Sequence, residues 1–235
     1  MKKKINWVKG INIFVMISLI TAIPIVAIMM FWSPSEPDPS LPFKRLKTDY
    51  ILMFLQCLVG IFAMLLPKFL HERISIRIPA GMMLLYAIFL YCSIYLGEVR
   101  SFYYHIPYWD TILHTFSGLM LGILGFSFIT ILNGTEKVPI NLSPIFVVIF
   151  AFSFAVTLGV IWEFYEFFAD GILGTNMQKF ATEVGEKMIG RAALMDTMKD
   201  LLVDSIGAFV AAVIGYISLK HKKGWVERFL LKKDK

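Results

Sequence analysis

The 235-residue chain is 57% hydrophobic and only 17% charged, and its apolar residues come in long runs rather than in stripes. Soluble domains are roughly half apolar and a quarter charged, so water is excluded as the main solvent. The formal charge of +6 does not indicate nucleic acid, because the excess sits in Lys2, Lys3 and Lys4 and in the tail after Lys220, where anionic lipid headgroups are the fitting partner.

A helix that crosses ~30 Å of hydrocarbon needs about 20 mainly apolar residues. The first such run, 8–32, follows the lysine cluster. It is too long for a secretory-signal core and lacks a small-x-small cleavage site, so an uncleaved helix is expected. Residues 33–41 alternate proline with acids and serines and predict an extended external stalk. Further spans are expected at 49–70, 79–97, 109–132, 144–169 and 196–220, each bounded by charge, Pro or Gly. Pro24 and Pro67 are tolerable where neighbours satisfy the freed carbonyl. Cys57 and Cys92 lie inside spans and read as small buried hydrophobes. The fold class is therefore all-α, a single polytopic membrane bundle of about six helices with 221–235 as a basic tail.

Positive loops stay cytoplasmic, and an inside N-terminus puts 15 of the 23 basic residues on the cytoplasmic side and 8 outside. Both termini are then cytoplasmic. The glycosylation patterns beginning at Asn133 and Asn141 fall on that same side and are dismissed. In the last external connection, 170–195, Met177, Phe180, Val184 and Met188 recur at helical spacing opposite Lys179, Glu183, Glu186 and Lys187. That pattern predicts a short interfacial helix, either a plain connector or a lid.

Ionisable residues inside spans cost about 2.5–3.5 kcal/mol each, so they need a partner or a purpose. Span four opens with Asp110 and His114, span five closes with Glu163, Glu166 and Asp170, span six opens with Asp196, Asp200 and Asp204, and Glu98 closes span three. Residues three, four and seven apart share a helical face, so each group forms one stripe. The alternating topology brings all four stripes to the external boundary. Small residues continue two of them inward, as Gly118 and Gly122 below His114 and as Gly207, Ala211 and Gly215 below Asp204, which favours close helix approach.

The seven acids of spans four, five and six, gathered this way, need neutralisation. Lys199, Arg191, Arg100 and His114 offer it from within the chain. A divalent cation offers it from outside, since carboxylates with one imidazole suit manganese, zinc or iron and an all-oxygen subset suits magnesium or calcium. Protonation of some acids is the third route and would make a proton-coupled site. Tyr103, Tyr104, Tyr108, Trp109 and Trp162 read as interfacial or packing aromatics, with His105 as a possible second imidazole. His71, Arg73, Arg77 and His221 read as headgroup and orientation residues. No phosphate-cradling Gly-rich loop or Gly-x-Ser-x-Gly elbow occurs, which argues against an ATP-driven pump.

Three ordered motifs carry a family resemblance. They are Trp109 to His114 with Ser117 and Gly118, Trp162 to Glu166 with Asp170, and Asp196 and Asp200 with Asp204 and Gly207. Over about residues 80–220 the chain resembles the YjdF-like bacterial inner-membrane proteins. That resemblance implies a multi-pass plasma-membrane protein, with no settled activity. More faintly it resembles VanZ-like membrane proteins, which order an Asp-x-x-x-His helix, an acidic helix, and an Arg before an Asp-rich, Gly-containing helix, as Arg191 precedes Asp196 here. This second likeness implies involvement with the cell envelope or glycopeptide tolerance.

The expectation is thus a bacterial plasma-membrane bundle with an outward-facing pocket. Asp110, His114, Glu163, Glu166, Asp200 and Asp204 are its candidate ligands for a divalent cation, and His114, Asp110 and Glu163 its candidate catalytic groups. The substrate would be a lipid or lipid-linked envelope molecule. The alternatives are an ion- or proton-coupled transporter and a non-catalytic scaffold with a structural polar network. Oligomeric state is not legible.

Overall fold

The computed structural model describes residues 7–36, 45–133, 142–182, 186–221, 223–226 and 228–233. Lys2 to Lys4, Lys44, Lys137, Glu183 and Val184, most of the expected stalk, and Gly134, Thr135 and Asn141 of the two glycosylation patterns lie outside them. Six helices are long and apolar enough to cross a membrane: α1 (Trp7–Trp32), α2 (Lys47–Ile74), α3 (Ala80–Leu90) with a π-wound continuation Tyr91–Val99, α5 (Trp109–Asn133), α6 (Pro144–Leu173) and α7 (Met195–Lys220). A single turn, α4 (Phe102–His105), precedes α5. At 1.5 Å per residue, the 26 residues of α1 reach about 39 Å, enough to span hydrocarbon with tilt.

The outward faces are apolar. Val59, Phe62, Phe164, Phe167, Leu202 and Phe209 are all exposed, a display that soluble monomers rarely sustain as continuous surface and that lipid tails cover without cost. The chain is a multi-pass membrane protein.

Packing divides the helices into two groups of three. Helices α1, α2 and α3 close around Val15, Leu19, Ala22, Cys57 and Ala87. In the second group α5, α6 and α7 pack mutually, and the contact between α5 and α7 is the most extensive among the described residues. Glycine sets that closeness. A Cβ on Gly118 would collide with the backbone of Asp204, one on Gly207 with the carbonyl of Thr115, and one on Gly122 would stand 2.6 Å from the Ala211 methyl. The two small-residue stripes therefore face each other as their spacing predicts.

The groups touch sparsely, and the chain end helps to join them. Strand β1 (Ile76–Arg77), between α2 and α3, pairs antiparallel with β2 (Lys232–Lys233). Just before β2, Phe229 packs on Gly81 and Leu230 on Met82, Ile123, Phe126 and Ile129, while Leu231 N–H donates to Ser127 Oγ at 3.0 Å. Part of the basic tail is thus docked on the bundle, because its Phe229-Leu230-Leu231 run is apolar enough to bury and Ser127 satisfies a backbone donor.

Among the described residues between α6 and α7, the expected interfacial helix does not form. Asp170 turns its carboxylate back to accept from Thr175 Oγ1 (2.6 Å), Met177 N (2.7 Å) and Gln178 N (3.0 Å), which fixes a turn just past Gly174 at φ +67°. Asn176 brackets Ala181 with two bonds, and Ala181 bridges to Lys187. Local side-chain acceptors outcompete a helix here. The only helical turn in the connection, among the described residues, is Gly190–Ala192.

Candidate functional site

Four helix ends converge: the close of the π segment, the start of α5, the close of α6 and the start of α7. Asp110 sits in the first turn of α5, with His114 one turn inward on the same face. Asp200 and Asp204 follow at the same interval on α7, and Asp204 lies about 14 Å along that helix at 1.5 Å per residue. The close packing of α5 on α7 brings these two stripes face to face.

His114 is the hub. Its Nδ1–H donates to Asp204 Oδ2 at 3.2 Å, and Asp204 Oδ1 is held by Ser117 Oγ–H at 2.7 Å. A carboxylate only accepts, so this contact places a proton on Nδ1 and points Nε2 the other way. There Nε2 meets Asp110 Oδ1 at 3.6 Å and Asp200 Oδ2 at 3.9 Å. One ligand atom from each of Asp110, His114 and Asp200 lies within 4.8 Å of the others. Ligands about 2.1 Å from a tetrahedral ion stand about 3.4 Å apart, so the two separations from Nε2 are a few tenths of an ångström from an ion's coordination edge. Gly159 on α6 makes room, since a Cβ there would come within 2.9 Å of Asp204 Oδ2.

Burial raises the stakes. Asp200 is 1% exposed and its Oδ1 has no hydrogen-bond partner, and both oxygens of the buried Glu163 are in the same condition. Thr197 and Gln178 stand beside Glu163, but the well-formed bond there joins those two to each other, Gln178 Nε2 donating to Thr197 Oγ1 at 2.9 Å. Orphaned buried acceptors are costly, and an ion or its water is the usual remedy.

The other predicted residues divide. Glu166 joins the periphery, its Oε1 accepting from Trp162 Nε1 at 2.9 Å. Asp170 leaves the centre to organise the loop described above. Asp196 and Asp110 share one base, Lys179, whose ammonium makes a close ion pair with Asp110 Oδ2 and reaches Asp196 Oδ1 at 3.1 Å. Spacing along the sequence misses Lys179, because it reads as the solvent face of an amphipathic helix, whereas the folded loop carries it over the start of α5. Burial alone would lower its pKa, but Asp110 and Asp196 outweigh that and raise it, so it stays charged. His105 is exposed and bonds Ser101 O rather than entering the centre.

Across from His114, the two groups of helices flank a half-open cavity of about 2120 Å³, with Asp110, His114 and Asp204 on one wall and Gln56 and Glu98 on the other. Tyr103 stands within reach of both walls. Burial, reinforced by Glu98, Asp110, Glu166 and Asp200, holds its phenol well above the usual tyrosine value, and its ring fills the space a Cβ on Gly97 would take. Tyr104 is pushed up to about 12 by burial and by Glu98, so both rings remain donors at neutral pH.

Residues 14–221 match the family described as predicted membrane protein (DUF2238). An uncharacterized protein of Thermotoga maritima is 30% identical over 163 residues, covering 68% of this chain and 73% of that one. No solved structure matches. With a match across nearly the whole bundle, including every residue of the His114 centre, the chain belongs to the DUF2238 family of membrane proteins.

Proposed function

We propose that Asp110, His114 and Asp200 bind a divalent cation at the outer side of a bacterial plasma membrane, and that the centre acts on a lipid or lipid-linked envelope substrate. The observation that carries this reading is the orientation of His114. Asp204 accepts a hydrogen bond from Nδ1, and Nε2 faces two carboxylate oxygens, which is the carboxylate–histidine arrangement of metal ligands. Nitrogen with oxygen donors suits zinc, manganese or iron. In this assignment His114 is a ligand and Glu163, buried and unbonded, is the group able to take a proton from water held at the centre. Glu166 and Asp204 serve as outer ligands or orienting acceptors.

The outward orientation rests on the excess of Lys and Arg on the side of both termini, and the β1–β2 pairing fits it by joining two segments of that side. The YjdF-like and VanZ-like resemblances are compatible with membership in this family and with an envelope role. Elemental analysis of purified protein tests the reading. Wild type should retain close to one equivalent of metal, and Asp200→Ala and His114→Ala should lose it. Metal content indifferent to both changes ends the proposal.

Lys179 favours a second reading. It neutralises Asp110 and Asp196 from within the chain, as a purely structural network would. Under that reading neutral substitutions reduce assembly without altering any bound ion. A transport pathway draws less support, because the cavity away from the acids is lined by Leu70, Met82, Leu90, Met120 and Leu124 and offers no ladder of polar groups.

A further inference from the structure

The cavity is at least twice the ~300–1,000 Å³ of ordinary small-molecule sites. It has a polar end, bordered by Arg45, Asp49, Lys179 and Glu186, and a long apolar end reaching Leu70, Ile78 and Leu231 near the docked tail. Such a chamber matches an amphiphile in shape and in chemistry. The wall opposite His114 adds a selective element that the cation reading does not use.

Gln56 Nε2 donates to Glu98 Oε1 at 3.3 Å, which leaves Gln56 Oε1 buried with no partner. Flipping the amide would set two oxygens against each other, so Glu98 fixes its direction. Arg45, the base beside this wall, spends its guanidinium on Glu98 C=O (2.8 Å), Ser101 Oγ (2.6 Å) and Met53 Sδ (2.8 Å) and not on the Glu98 carboxylate. Beside the Tyr103 and Tyr104 phenols, the wall therefore presents acceptors, namely a carboxylate and the unpartnered Gln56 amide oxygen, while the Gln56 amide nitrogen and Arg45 are already engaged. A ligand that satisfies it has to bring O–H or N–H groups.

We propose that Gln56 and Glu98 form the head-group subsite of a lipid-binding chamber that selects lipids whose heads carry hydrogen-bond donors, either polyol hydroxyls or a primary ammonium. This rests on the lipid reading above and adds which part of the molecule is recognised. A choline head shares the phosphate and the tails but carries no donor, so it leaves both acceptors unsatisfied and is selected against.

The test uses the full chain purified in detergent and incubated with vesicles holding equal amounts of phosphatidylcholine, phosphatidylglycerol, phosphatidylethanolamine and a diglycosyl diacylglycerol with matched tails. Native mass spectrometry counts the lipid retained, and bound metal is measured in parallel. Wild type should retain at least one donor-bearing class about tenfold over phosphatidylcholine. Gln56→Leu combined with Glu98→Leu should erase that preference while phosphatidylcholine and metal stay at wild-type levels. Leu124→Trp, which narrows the apolar end, should lower all four lipids together. Glu98→Gln separates the donors, since loss confined to phosphatidylethanolamine identifies the ammonium and loss of the other two identifies the hydroxyls. Equal retention of all four lipids by wild type, retention of none, or a preference that survives the double substitution overturns the subsite. Loss of metal alone leaves it standing and counts only against the cation centre.

Discussion

His114 Nδ1 and Asp204 Oδ2, 90 residues apart in the chain, meet at 3.2 Å, and through that one bond α7 decides which nitrogen of an α5 imidazole is free. Asp204→Asn keeps the volume and removes the anionic acceptor. Metal affinity should fall about 10–100-fold while the fold persists, the usual effect of deleting a carboxylate behind a metal-bound imidazole. Competition titration with a chelator of known affinity measures this. Unchanged affinity would mean that Asp204 does not orient the ring.

Removing the ammonium of Lys179 strands Asp110 and Asp196 together. Its side chain is about one-third exposed, so solvent screening reduces the cost of a fully buried pair to roughly 1–3 kcal/mol for Lys179→Met. The pH dependence has a definite sign. A raised lysine pKa gives stability that is complete below about 10.4, the free-lysine value, and lost only as pH climbs through the folded value. Thermal unfolding should therefore show the same gap between wild type and variant at pH 7 and at pH 9. A gap that closes within that window would contradict the pairing.

Gly207→Ala adds one methyl against the Thr115 carbonyl, a backbone atom that cannot swing aside. Overpacking of this kind costs about 1–3 kcal/mol. Gly171→Ala, where a Cβ meets nothing within 4 Å, is the matched control and should be neutral. Midpoints of thermal unfolding in the same detergent would distinguish them, and equal midpoints would show that α5 and α7 are not held at contact distance.

Truncation after Lys220 deletes the β1–β2 pairing and the Leu230 contacts together. Amide exchange in the first turns of α3 and around Ile123 to Ser127 should rise, while the His114 centre at the other end keeps its protection. Uniform protection in the truncated chain would show that the tail holds nothing in place.

The spans were legible because twenty-residue apolar runs have one interpretation in lipid, and each predicted boundary falls within four residues of the helix observed. Asp110, His114, Asp200 and Asp204 were legible as a group because an interval of four is a helical property. Asp170 shares the spacing and not the destination, since periodicity cannot show that a carboxylate will turn back to hold its own loop. Lys179 meets Asp110 across 69 residues, a relation set by how the connection folds rather than by local pattern. The docking of Leu230 was hidden for a related reason: three apolar residues among lysines carry little weight in a composition argument, yet they are enough to fill a gap that other helices leave.

The π winding from Tyr91 to Val99 carries a consequence for how this protein tolerates change in length. Hydrogen bonds reaching five residues back accommodate more chain per turn than an α-helix does, so the stretch stores slack between two fixed ends. Shortening it by one residue upstream of Glu98 would let it rewind toward α-helix while Ala80 and Arg100 stay in register, so Glu98, two residues before Arg100, would keep its place on the wall. The winding thus buffers the direction of this acid against a lone deletion that would turn it by about 100° in a helix without such slack.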